Sequence, residues 1–193
     1  MEKVRLNFRG LSEIVGNNDL GLLVLVDDAN EYQITVTCDK DMLDQFSTRL
    51  QHLPVVGRLL PEVLWQALLS YTDQDAFELM FTNIIDGQYR VTLFNKTTSE
   101  HIAIRATDAI LLSFISKIPI YIEARLMALQ RTPFRENARG VAMPLNSLTR
   151  DMLDKALAKA VKDEDYETAS FLRDEINRRL RTKHDSSEGA TTQ

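Results

Sequence analysis

Apolar and polar positions alternate with a period of two at Val4, Leu6 and Phe8, the pattern of a half-buried strand. Leu20–Val26 is apolar at every position but its glycine and reads as a strand buried on both faces. Beyond a turn at Asp28, Ala29 and Asn30, the residues Tyr32, Ile34 and Val36 alternate again. The period then lengthens. Met42, Leu43, Phe46 and Leu50 recur at helical spacing behind Asp39, a residue suited to an N-cap because its carboxylate accepts from the first free amides. A second helix is expected from Pro61 to Leu69, with proline in the first turn, where its missing N–H costs little. Phe77–Ile85 and Gln88–Phe94 flank Asp86-Gly87, a pair favoured in type I′ hairpin turns because both positions need positive φ. His101–Ala106 makes a further strand, and Thr107 stands as the cap of a helix carrying Ile110, Leu111, Phe114 and Ile115. Pro119 marks Ile118–Ile122 as a short or edge strand.

Part of this pattern occurs twice. Ile34 opens I-T-V-T-C-D-K-D-M-L-D-Q-F, and Ile102 opens I-A-I-R-A-T-D-A-I-L-L-S-F. Each is an alternating strand, a polar cap and a helix with paired apolar residues and an aromatic, and each follows two further strands. The expected fold is α+β: two related three-strand-plus-helix units sharing one core, since either alone would bury too little surface. A C-terminal antiparallel helical hairpin follows them.

Composition narrows the function classes. The chain has 193 residues, is 44% hydrophobic and 26% charged, and carries a net charge of −5, the balance of a soluble globular protein. No apolar run approaches the ~18 residues of a membrane span. No basic stub followed by an apolar stretch opens the sequence, so a cytoplasmic location is expected. One cysteine, Cys38, cannot form an internal disulfide. With only His52, His101 and His184 beside it, a Cys/His zinc cluster within one chain is excluded. Charge reverses locally from Arg125 to Arg150, where five arginines meet one acid, Glu136. Pro133, Gly140 and Pro144 make this stretch read as a loop or linker. Arg131, Arg135 and Arg139 are its candidates for contact with a phosphate backbone, alongside the plainer role of pairing with an acidic body.

Residues 102–112, I-A-I-R-A-T-D-A-I-L-L, followed by Ile118-Pro119-Ile120-Tyr121, resemble the core signature of the bifunctional nuclease family. Asp86-Gly87 matches its hairpin and Gly10-Leu11-Ser12 an early Gly-Leu-Ser. The resemblance covers residues 1–130, most closely Phe81 to Glu123. It implies an α+β domain, homo-oligomeric assembly and hydrolysis of DNA or RNA. One departure bears on the chemistry. The family's Thr-His-Asp-Leu segment corresponds here to Arg58–Leu64, with Glu62 in place of the histidine and Val63 in place of the aspartate.

Phosphodiester hydrolysis needs an activated water and charge stabilisation in the transition state. Without that histidine, carboxylates holding Mg²⁺ or Mn²⁺ remain. Asp108 and Glu123 are the candidate metal ligands, Asp108 and Glu62 the candidate catalytic acids, and Arg105 the clamp on a phosphate oxygen. Asp86 is explained by its turn. Asp108 also has a structural explanation, as an acid at a helix start beside Arg105.

Leu153–Val161, the turn Asp163–Asp165 and Tyr166–Ile176 resemble the UVR motif, a helical hairpin shared by UvrB and UvrC. Leu153, Leu157, Ala160 and Val161 form one stripe; Tyr166, Ala169, Phe171, Leu172 and Ile176 form another. The resemblance implies a protein-docking module, with Tyr166, Phe171 and Leu172 as docking residues. The expected organisation is a nuclease-like domain at 1–130, an Arg-rich linker at 131–147, a hairpin at 148–182 and a disordered tail at 183–193. The resemblance makes a metal-assisted nuclease with a docking hairpin the first expectation, with a catalytically inactive adaptor and a nucleic-acid-binding module that does not cut as the alternatives. The expected partners are nucleic acid, a protein and a second copy, without a membrane.

Overall fold

The computed structural model describes residues 2–14, 17–136 and 148–188. It holds strands β1 (Lys3–Ile14), β2 (Asn17–Asp27) and β3 (Tyr32–Asp39), then helices α1 (Lys40–Leu50) and α2 (Leu60–Leu68). Strands β4 (Phe77–Ile85), β5 (Gln88–Asn95) and β6 (Glu100–Arg105) precede helix α3 (Ala106–Ser116). Strand β7 (Ile120–Glu123), helix α4 (Ala124–Gln130) and the short strand β8 (Thr132–Pro133) complete this part. Helices α5 (Arg150–Lys162) and α6 (Tyr166–Glu188) follow. The chain divides into two compact units between Met143 and Pro144, with residues 86–88 grouped with the second.

The eight strands form one sheet in the order β6-β5-β4-β7-β1-β2-β3-β8. The two three-strand runs flank β7, each with its first strand beside it. β7 is antiparallel to β1 and parallel to β4, so β1 and β4 point in opposite directions. A half-turn about an axis perpendicular to the sheet at β7 carries the strand order and directions of one run onto the other, in keeping with the repeated sequence. β2 is buried on both faces: Leu22 through Val26 are all buried. Gly21 lets α1 approach β2, since a Cβ there would fall 2.5 Å from the Leu43 side chain. Asp39 caps α1 by accepting from the Met42 amide at 2.9 Å.

Four features differ from the sequence reading. First, β7 is short, as one of the two readings has it, but it is central and not an edge, lying between β4 and β1. Pro119 stands just ahead of the strand, where no ladder amide is needed, and its carbonyl accepts from the Leu79 amide at 2.9 Å. Second, α3 starts two residues earlier. Arg105 is its N-cap residue, without a side-chain cap bond, and Thr107 lies inside the first turn. Third, the arginine stretch is not all loop: Arg125 sits in α4, and Thr132–Pro133 add an edge strand against β3. Fourth, α6 continues to Glu188, through residues expected in the disordered tail. The sequence from Arg181 to Glu188 holds neither Gly nor Pro to stop a helix, and Gly189 comes next.

Asp86 and Gly87 both have positive φ, 53° and 77°, as the type I′ turn demands. Among the described residues, no helix is long and apolar enough to cross a membrane.

Candidate functional site

The candidate residues of the sheet unit are held in separate local arrangements. Arg105 and Asp108 pair with each other three residues apart, Nε to Oδ2 at 2.6 Å and a terminal nitrogen to Oδ1 at 3.1 Å. This bidentate bond, and the Asp108 charge behind it, raise the Arg105 pKa. The pair is exposed at the start of α3, so screening leaves it worth less than about 1 kcal/mol to the fold.

Glu62 has a different task. It accepts from Arg49 Nε at 2.7 Å and from a second guanidinium nitrogen at 3.0 Å. The remaining terminal nitrogen of Arg49 donates to the Gln45 side chain and carbonyl, and the Arg49 side chain is 1% exposed. A buried guanidinium requires such a partner. Glu62 therefore ties α2 to α1. Glu123 closes β7 at the entry to α4 and makes no side-chain cap bond there. Among the described residues, no three His, Cys, Asp or Glu side chains gather where they could hold a metal ion.

The three candidate phosphate-binding arginines do not act as one row. Arg131 lies over the Tyr32 ring, 4.1 Å from its centroid. Arg135 lines a hollow of about 260 Å³ together with Arg9, Ser12, Gln33, Phe134 and Glu136. Arg139 lies outside the described residues. Arg9 was not among the sequence candidates, and no motif marks it. It is the extra residue of a bulge between Phe8 and Gly10, a device that re-aims one side chain, and it pairs with Glu136.

The helical unit is built around one apolar seam. Leu153, Ala160, Ala169, Leu172 and Ile176 are buried there, with Leu148, Ala156 and Leu157 packed against them. Thr149 caps α5, and Glu164 makes the turn with a positive φ of 59°. Asp165 then caps α6 by accepting from the Thr168 amide at 3.1 Å, and its bonds to Thr168 hold its carboxyl below the ordinary range. At the other end Arg179 is buried. It donates to Glu175 at 2.8 Å and to the Leu148 carbonyl at 2.6 Å, fastening α6 to the chain entering α5.

Residues 147–178 match the UvrB/uvrC motif. The hairpin is a UVR motif. No curated protein matches the chain. The three expected docking residues of the UVR hairpin separate by role. Leu172 is 3% exposed and belongs to the seam, so it shapes the hairpin and offers a partner no surface. Tyr166 and Phe171 are 69% and 60% exposed. Five residues apart on one helix, they point about 140° from each other, so they belong to different sides of α6.

Proposed function

We propose that the protein is a docking adaptor whose UVR hairpin holds a protein partner through the side of α6 that carries Phe171. The observation behind this reading is the contrast between neighbours: Leu172 closes the seam, while Phe171 contributes nothing to it and stands in solvent. Covering such a side chain is worth about 1.5–3 kcal/mol. Glu167 and Asp174 lie one turn to either side of Phe171, which suits an apolar slot with a basic rim. The test compares two variants for affinity toward a purified partner identified by capture with the full chain. Phe171→Ala should weaken binding tenfold or more while helicity is kept. Leu172→Ala should lose binding and hairpin order together, since removing a buried leucine costs about 2–5 kcal/mol. Unchanged affinity in Phe171→Ala would remove this face from the reading.

A second reading follows the bifunctional nuclease resemblance: hydrolysis of DNA or RNA in the sheet unit. Mg²⁺ or Mn²⁺ would enter with the substrate phosphate at Asp108, with Arg105 on a phosphate oxygen; Glu123, at the end of β7, would serve as a ligand only if substrate binding drew it toward Asp108. It is favoured by the exposure of Arg105, 74%, beside the N-terminus of α3, whose free amides suit an anion. A phosphate can replace Asp108 as the bidentate partner of that guanidinium. Cleavage should require a divalent metal, stop with EDTA and fall by orders of magnitude in Asp108→Asn. Binding without cleavage would mark the non-cutting alternative. There, replacing Arg131, Arg135 and Arg139 by Ala should lower the log–log salt slope by up to about 2.7.

A further inference from the structure

Helix α2 turns its apolar side outward. Leu60, Leu64 and Leu68 recur every fourth residue with Val63 beside them, and all four are exposed. The helix is held from its other side. Trp65 is its buried residue and packs edge-on against Phe77 at 6.1 Å, and Glu62 is bound to Arg49. These attachments leave every residue of the leucine stripe at least two-fifths exposed among the described residues.

The stripe extends into the turns on either side, where Leu53 and Val55 are exposed and Tyr71 is 90% exposed. Nine of the sixteen large exposed apolar side chains among the described residues fall between positions 50 and 71. Each is at least two-fifths exposed, so their exposed areas add up to on the order of 800 Å², the scale of what one partner gives to a stable interface when they are covered together. The largest apolar patch on an ordinary monomer is roughly 300–600 Å².

Charge selects the occupant. From Leu50 to Tyr71 the Asp, Glu, Lys and Arg residues are Arg58 and Glu62 alone, and Glu62 is committed to Arg49. A nucleic acid or a charged peptide finds a single arginine there. A second copy of the same face fits better. In a two-fold contact a patch meets itself, so a charged patch repels its copy while an uncharged leucine stripe does not. We propose that α2 and its flanking turns form the two-fold interface of a homodimer, with the Leu60–Leu64–Leu68 stripes of the two copies laid against each other. The proposal stands on the sheet unit and is independent of the hairpin's role.

Sedimentation equilibrium of the full chain tests it. Wild type should sediment at twice the mass of one chain. Leu64→Lys should sediment at the mass of one chain, its dissociation constant raised 100-fold or more, with unchanged circular dichroism; Leu64→Met should remain dimeric. If Leu64→Lys fails to fold, Leu60→Gln makes the same test at a more exposed position. Three results would overturn the proposal: a wild type monomeric from micromolar to sub-millimolar concentration, a dimer that persists in the folded α2 variants, or a dimer lost in Phe171→Ala instead.

Discussion

Phe46 and Phe114 meet edge to face with ring centroids 5.8 Å apart, and they occupy equivalent positions in the repeated segments 34–46 and 102–114. Phe8 of β1 packs on both, at 4.9 and 5.6 Å. The half-turn that relates the two strand runs thus brings the two helices α1 and α3 into one core at their matching aromatics. Each such pair adds about 0.5–1.5 kcal/mol beyond its buried area.

The two rings differ in burial, and the cost of removing them should differ accordingly. Phe46 is fully buried, whereas Phe114 is partly so. Phe46→Ala should destabilise the sheet unit by about 3–5 kcal/mol, and Phe114→Ala by less. Urea denaturation measures both. Equal losses would mean that the cluster is not organised around Phe46.

Glu62 should matter to folding first. Glu62→Gln leaves the buried Arg49 charge without its carboxylate, and breaking a buried pair costs about 3–5 kcal/mol. The double variant Arg49→Met, Glu62→Leu should recover most of that loss, because it removes both charges. A single variant as stable as wild type would show that water already shares this pair.

The hairpin should lose order in acid. Glu175 is held below the ordinary carboxylate range, chiefly by its bond to Arg178 and further by Arg179. Its folded pKa lies below its unfolded value of about 4.3, so its contribution is complete above that value. The contribution is lost as pH falls through the folded pKa. The protection factors of the α6 amides, which allow for the intrinsic slowing of exchange in acid, should therefore fall on acidification more steeply in wild type than in Glu175→Gln. Parallel profiles would remove Glu175 from the account.

Cys38 should be inert while the protein is folded. Burial, with a further contribution from the Asp39 charge, pushes its thiol up to about 12. At pH 8 almost no thiolate is present, and the sulfur is out of reach of a reagent. A thiol-specific chromophoric reagent should modify it only when denaturant unfolds the chain. Prompt reaction in native buffer would show that the end of β3 opens locally.

Local chemistry made much of this fold legible. Hydrophobic periodicity marked β1–β6, α1 and the hairpin, because which face is buried is written into every second or every third and fourth residue. Asp86-Gly87 named its own turn, since both positions need a left-handed backbone. The repeat at Ile34 and Ile102 was visible for the same reason, and so was the UVR hairpin, whose seam is a matter of spacing along two adjacent helices.

What tertiary structure decided was which neighbours each charged or apolar group meets. Pro119 looks like an edge signal until β4 and β1 close on either side of the strand that follows it. Glu62 looks like an acid available for chemistry until α1 delivers Arg49 from thirteen residues away. Arg9 enters a hollow only because a bulge in β1 re-aims it. Leu172 and Phe171 are adjacent apolar residues in sequence, and only the packing of α5 on α6 buries one and leaves the other in water. The leucines of α2 have core spacing yet face outward, because Trp65 and Glu62 anchor that helix by its opposite side. Periodicity determines that a face is apolar; the contacts that cover it come from residues distant in the chain, and no local pattern encodes them.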